Sequence, residues 1–402
     1  MKVTVADNTT IMLNPGVELS VQRGGELVLD GMTLGSDVAK NLFFNVQPQG
    51  DTYTSGRITA KWGGKITIGG VTFQTRNHGH DPSGDEFGIT IEAVEESGGI
   101  INIMVMLPED VLITKNGSAV TSSDLLALNA LAADNVRFEL INKEGVKSGS
   151  NAAVNYFPSI KIGSDYFFTV NGQFMQGVYS GGNYNESTRQ YEFSTGTLAG
   201  LMAIWSEIEK PTLGTNVEPK WSTIRLTDDI KLSEMTMSLP ATLVLDCGTF
   251  LILEHADLTA SVRVGEGSAV KVNDSSRLAT TQGSDTVIEG SLTVINGVVV
   301  SQMGSAINVA SGAAFELNNS RFECGGVRFK DEGSDVIHTE YWFKNESTHV
   351  RSAEEAEVWL GITTVGEGVE ALTDGEYATL IEKLKAEIRN DRIVVRAYSP
   401  SP

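Results

Sequence analysis

Cysteine is scarce in this chain of 402 residues: Cys247 and Cys324 are the two. Two are too few for a disulfide framework or for a four-ligand zinc site. Proline is scarce as well, at 10, while glycine reaches 42, above the usual ~7%. Many glycines with few prolines point to many tight turns between strands. No window approaches ~18 uninterrupted apolar residues, so no transmembrane helix is expected. The opening MKVTVADNTTIMLNPGVELSV has no apolar core behind a basic start, so no secretory signal is expected. Basic charge is also short: 30 Lys plus Arg against 51 Asp plus Glu leave a net charge of −21. That balance argues against a general nucleic-acid or anionic-membrane binder, because phosphate binding needs local positive charge. No HExxH, CxxC, P-loop or GxSxG pattern occurs. What remains is a chain with 41% hydrophobic residues, enough for packed cores, and a length that predicts two to four domains at roughly 100–200 residues each.

The informative feature is repetition. Between residues 241 and 322, an apolar–x–apolar pair followed by one more apolar residue recurs roughly every twenty residues. The triplets are Phe250/Ile252/Leu258, Val270/Val272/Leu278, Leu292/Val294/Val300 and Phe315/Leu317/Phe322. Earlier pairs precede several of them: Leu243/Leu245, Val262/Val264 and Ile307/Val309. The same grammar occurs as Leu19/Val21 with Leu27/Leu29/Leu34, and as Ile66/Ile68/Phe73. Period-two alternation makes each short segment a strand with one buried face. Gly, Asn, Asp and Ser at the breaks supply turns. Strands this short, with turns this frequent, do not readily form a hairpin sandwich. They can wind into coils stacked at ~4.8 Å. The fold class predicted is therefore mainly β: a parallel β-solenoid (β-helix) with an inserted α+β domain and a C-terminal α/β cap. The boundaries predicted are 1–75 for N-terminal rungs, 76–235 for the insertion, 236–345 for the main rungs and 346–402 for the cap or oligomerisation region.

Inside 76–235, strands are expected at 88–96, 100–107, 136–140 and 165–170, with helices at 122–134 and 198–210. The stretch 171–186, NGQFMQGVYSGGNYNE, reads either as a binding loop or as a long hairpin. In the C-terminal region Ser352–Glu355 and Thr373–Glu376 have capping-box spacing. The second opens an amphipathic helix, and residues 393–395 read as a strand.

Candidate chemistry is sparse. His78, His80, Asp81, Asp85 and Glu86 cluster in NHGHDPSGDE and could ligate a divalent metal. The glycines and Pro82 equally fit a solvated loop, and no metal or other cofactor is expected. Asp246, Glu254, Asp274 and Glu316 lie on the repeats, but their places in the rungs do not align into one groove of acids. Arg263, Lys271 and Arg277 are the nearby bases. No catalytic residue is assigned.

The segment 222–260, STIRLTDDIKLSEMTMSLPATLVLDCGTFLILEHADLTA, resembles the opening rungs of right-handed parallel β-helix proteins of the pectate-lyase-like class. That class includes polysaccharide lyases and hydrolases, surface adhesins and bacteriophage tailspikes and fibres. The resemblance covers about 222–330, with an echo at 11–75, and is a pattern of hydrophobicity rather than a catalytic motif. It implies a non-enzymatic structural or binding component of a bacteriophage virion: a fibre, spike or head-surface protein made in the host cytoplasm. The alternatives are a carbohydrate-active β-helix enzyme such as a tailspike depolymerase, and a bacterial surface adhesin. The partners implied are further copies of the chain, as a trimer, other virion proteins and a host surface glycan. Neither nucleic acid nor membrane insertion is expected.

Overall fold

The structure, a computed structural model, describes residues 1–4, 10–30, 34–35, 42–49, 52–75, 88–93, 101–106, 111–132, 136–141, 157–208, 221–281, 283–302, 305–310, 313–318, 320–328, 338–345, 361–364 and 392–396. The chain is mainly β, with several sheets and few helices. It divides into two compact units between Gly177 and Val178.

The division corrects the boundaries expected from sequence. Strand Ile89–Ala93 pairs with Arg57–Ala60, and Val111–Lys115 pairs with Val71–Thr75. The segments after residue 75 therefore extend the N-terminal sheets rather than forming a separate insertion. Ser222–Leu226, likewise, is already a member of the C-terminal sheet. The stretch 171–186 is not one loop. Gln173–Gln176 pairs with Asp165–Val170, and Ser180–Asn185 pairs with Gln190–Thr195, so the unit boundary cuts it in two.

In the first unit, Lys2–Thr4, Glu26–Val28 and Lys65–Ile68 form a parallel ladder. Glu18–Val21 lies parallel to Arg57–Ala60, and Ile11–Leu13 to Leu42–Phe44. The two-glycine turn Gly69–Gly70, both at positive φ, then reverses the chain, and Val71–Thr75 returns antiparallel on Lys65–Ile68. The core gathers Phe44, Ile58, Phe73, Ile91, Phe138 and Phe167, each fully buried. At ~1.5–3 kcal/mol for each large apolar side chain removed from water, this cluster dominates the unit's stability. Leu19, expected inside, is 37% exposed, because its strand is the outermost of its sheet. The expected helix at 122–134 is two short ones, Ser122–Ala127 and Asn129–Ala132. Thr121 caps the first, with Asp124 completing a capping box.

In the second unit, from Ile230 to Asn318, strands adjacent in sequence do not pair; each pairs with its counterpart one repeat later. Three ladders result. The first aligns Phe193, Ile224, Leu243 and Val262, all buried. The second runs through Ile230–Ser233, Phe250–Glu254, Ala269–Asn273, Ser291–Ile295 and Ala314–Asn318. It aligns Leu232, Leu253, Val272, Val294 and Leu317 in register. The third aligns Met237, Leu258, Leu278, Val299 and Phe322. All of these pairings are parallel.

Two of the expected triplets are out by one residue. Leu251 and Leu253 are the buried members of the first, while Phe250 and Ile252 are half-exposed. In the third, Val299 rather than Val300 continues the ladder from Leu278 to Phe322. A one-residue slip turns every side chain to the opposite face, and in FLIL and VVV period two does not discriminate between the faces.

The corner between the second and third ladders repeats as well. Glu234, His255, Asp274 and Asn296 all adopt left-handed backbone there, the conformation that Asn and Asp tolerate best among residues with a side chain. Buried serines tie successive repeats. Ser276 Oγ accepts from Ala256 N–H at 3.1 Å and Ser320 Oγ from Gly297 N–H at 3.2 Å. Helix Leu198–Ile208 packs against Gln190–Thr195 and Ile230–Ser233 at the start of the ladders. At the far end the pairing turns antiparallel: Arg392–Arg396 lies on Ala306–Ala310, and His338–Asn345 on Ser320–Arg328. Apart from Gly361–Thr364 and Arg392–Arg396, the expected cap at 346–402, including both capping boxes, lies outside the described residues.

This register separates the cysteines. Cys247 is an exposed free thiol in the turn after Leu245. Cys324 aligns with Ser301 in the third ladder. Four strand spacings lie between their repeats, about 19 Å, against the ~7 Å Cα limit of a disulfide. Both should alkylate fully under denaturing, non-reducing conditions. A Cys247–Cys324 cross-linked peptide in the mass spectrum would contradict the register.

Candidate functional site

Two further rows of positions align by register in the second ladder. One aligns Lys231, Ile252, Lys271, Thr293 and Glu316; the other aligns Ser233, Glu254, Asn273, Ile295 and Asn318. Lys231 Nζ meets Glu254 Oε2 at 2.6 Å, and Lys271 Nζ stands 5.4 Å from the centroid of the Phe250 ring. Arg277 Nη1 bonds Asp257 Oδ1 at 3.0 Å, and Arg263 reaches Glu289 at 3.7 Å. Arg225 pairs with Asp246. These are surface contacts between successive repeats, each worth ~0–1 kcal/mol.

The structure does not bring the expected acids together. Asp246 lies in the turn after the first ladder, Glu254 on the face of the second and Asp274 at the corner beyond it. Glu316 shares a row with Thr293, not with Glu254. The bases Arg263, Lys271 and Arg277 are engaged across repeats. His78, His80, Asp81, Asp85 and Glu86 all lie outside the described residues. Among the described residues no group of three or more His, Cys, Asp or Glu side chains is placed to hold a metal ion. No described helix is long and apolar enough to cross a membrane.

The most unusual electrostatic environment lies in the first unit and was not anticipated. Strands Glu18–Val21, Arg57–Ala60, Ile89–Ala93, Ile101–Met106 and Val136–Ile141 form one sheet. Ile58, Ile91, Ile103 and Phe138 fill its inner face. By alternation the other face carries the row Glu18, Arg57, Glu92, Asn102, Arg137, with Ser20, Thr59, Thr90, Met104 and Glu139 beside it.

One end of that row is tightly neutralised. Glu18 accepts from Lys61 Nζ at 2.8 Å, Arg57 Nη2 at 2.9 Å and Thr59 Oγ1 at 2.8 Å. The Lys61 hydrogen bond leads in holding the Glu18 carboxyl at about 2. The middle is different. Burial pushes the Glu92 carboxyl up, Arg57 opposes this, and the Glu139 charge adds to it. Asn102 is 6% exposed, and its Oδ1 accepts no hydrogen bond from any described residue. The Asn102 amide oxygen is thus a buried acceptor without a donor, and an unsatisfied buried acceptor is costly.

The sequence signal was the outward Glu in the alternating ITIEA and VRFEL. Neither stretch reveals that it shares a sheet face with the other, because register joins them only after folding.

No family model, curated protein or solved structure matches this chain.

Proposed function

We propose that the three ladders of residues 222–328 are the rungs of a parallel β-solenoid. On that basis the chain is a non-enzymatic structural or binding component of a bacteriophage virion, a fibre, spike or head-surface protein. The observation that carries this reading is the parallel register in which every strand pairs with its counterpart one repeat away. Stacked repeats of this kind bury a continuous interior that one coil cannot bury alone. Ion pairs between repeats and a net charge of −21 suit a long-lived, highly soluble particle component. The resemblance to tailspikes and fibres supplies the virion, and with it a trimer whose lateral faces pack around a symmetry axis. A host surface glycan is the ligand that the same resemblance supplies.

Sedimentation and electron microscopy of the full chain test this reading. The expected result is a particle of about three times the 43.1 kDa chain mass, binding host cells without degrading their capsule. A monomer at micromolar concentration would remove the assembly. Release of reducing ends or unsaturated sugars would replace the binding component with a depolymerase.

A further inference from the structure

The unpaired Asn102 amide oxygen lies on a sheet face that also carries two glutamates, the chemistry of a cation site. Asn102 is in direct register with Glu92, which places their Cβ atoms about 5 Å apart. Glu139 is the diagonal neighbour of Asn102, two residues beyond its partner Arg137, about 7–8 Å away and within reach of a long side chain. Two carboxylates and one amide oxygen thus share one patch of the sheet. Neither arginine of the row satisfies the amide. Arg57 is held by Glu18 through Nε at 3.1 Å and Nη2 at 2.9 Å. The aliphatic stem of Arg137 lies against Gly172, where any Cβ would collide with it, on the strand's far side from Asn102.

We propose that Glu92, Asn102 and Glu139 bind a hard divalent cation, calcium, on the outward face of this sheet. The acid pair alone would not mark a site. Asn102 does, because it is more than nine-tenths buried, its Oδ1 is unpaired, and it stands in register with Glu92. An all-oxygen set of carboxylates and an amide carbonyl selects calcium over zinc or copper, which take imidazole and thiolate. Calcium rather than magnesium follows because calcium accepts irregular oxygen geometry and magnesium demands a near-ideal octahedron. Burial raises the Glu92 carboxyl, and the Arg57 charge that opposes this does not cancel it.

Calorimetry on the full chain, stripped with chelator and titrated with calcium chloride, tests the site. One calcium per chain is expected, with Kd of about 10⁻⁴ M, together with a rise in the thermal midpoint that magnesium does not reproduce. Glu92→Gln and Asn102→Leu should each weaken binding about tenfold or more, since ligand number and charge set calcium affinity. Both should fold in chelator, because Glu92→Gln removes a charge that burial disfavours and Asn102→Leu removes a buried amide oxygen that has no donor. Asn102→Asp should bind at least as tightly as the wild-type chain. Absence of calcium heat in the wild type would overturn the proposal and leave the amide satisfied by water. Undiminished binding in both Glu92→Gln and Asn102→Leu would overturn it as well, by placing the ion elsewhere. The outcome is independent of whether the second unit serves a virion.

Discussion

Val294→Asp is expected to yield no soluble folded protein, while Thr293→Asp, one residue earlier, leaves the unfolding midpoint nearly unchanged. Val294 is fully buried and in register between Val272 and Leu317. A carboxylate there would have the buried aliphatic side chain of Val272 about 4.8 Å away. Burying an unpaired charge costs several kcal/mol, a large part of the 5–15 kcal/mol that holds a typical domain together. Thr293 faces outward beside Lys271, so a carboxylate at 293 stays hydrated and gains a cation. Soluble yield and the circular-dichroism midpoint of the two variants measure the difference directly. Equal loss in both, or a soluble Val294→Asp variant with an unchanged midpoint, would contradict the alternation.

Gly290→Val is expected to be nearly as damaging, for steric rather than electrostatic reasons. A Cβ at 290 would run into the carbonyl oxygens of Ser268 and Gly265, which belong to the preceding repeat. Gly290 N–H donates to Val264 O at 3.0 Å and Ser291 N–H to Ser268 O at 3.1 Å. The colliding atoms are backbone and are held in the ladder, so they cannot yield as a flexible side chain would. Overpacking a close-packed site costs ~1–3 kcal/mol, and here it also stretches ladder hydrogen bonds. Chemical denaturation should show a lower midpoint for Gly290→Ala and a further loss for Gly290→Val. An unchanged Gly290→Ala midpoint would mean that the repeats do not approach so closely at this corner.

Much of the second unit was legible before folding. The pairs Val270/Val272 and Leu292/Val294 alternate with polar neighbours, so one face alone can be buried, and both pairs are buried as expected. The turns were legible for the same kind of reason: Asn296–Gly297 and Asp274–Ser275 are residues whose backbone tolerates sharp reversal. Glu92, Asn102 and Glu139 were not legible, because nothing local connects a glutamate in ITIEA to an asparagine in INIM. They meet only because Ile89–Ala93 pairs antiparallel, and Val136–Ile141 parallel, with Ile101–Met106.

The sequence by itself determined that this chain is mainly β, that its strands are short and repeated, and that its surface is strongly acidic, because period, turn chemistry and composition are local properties. Only the tertiary structure decided which parity of FLIL and VVV faces inward. In those runs both faces are apolar, and the choice falls to stacking against Leu232 and Val272 on one ladder, and against Leu278 on another. It likewise decided that the strands after residue 75 complete the first unit, and that two glutamates and an asparagine share one sheet face. Strand register is a long-range pairing, made by the burial of whole faces, and no short stretch of residues carries it.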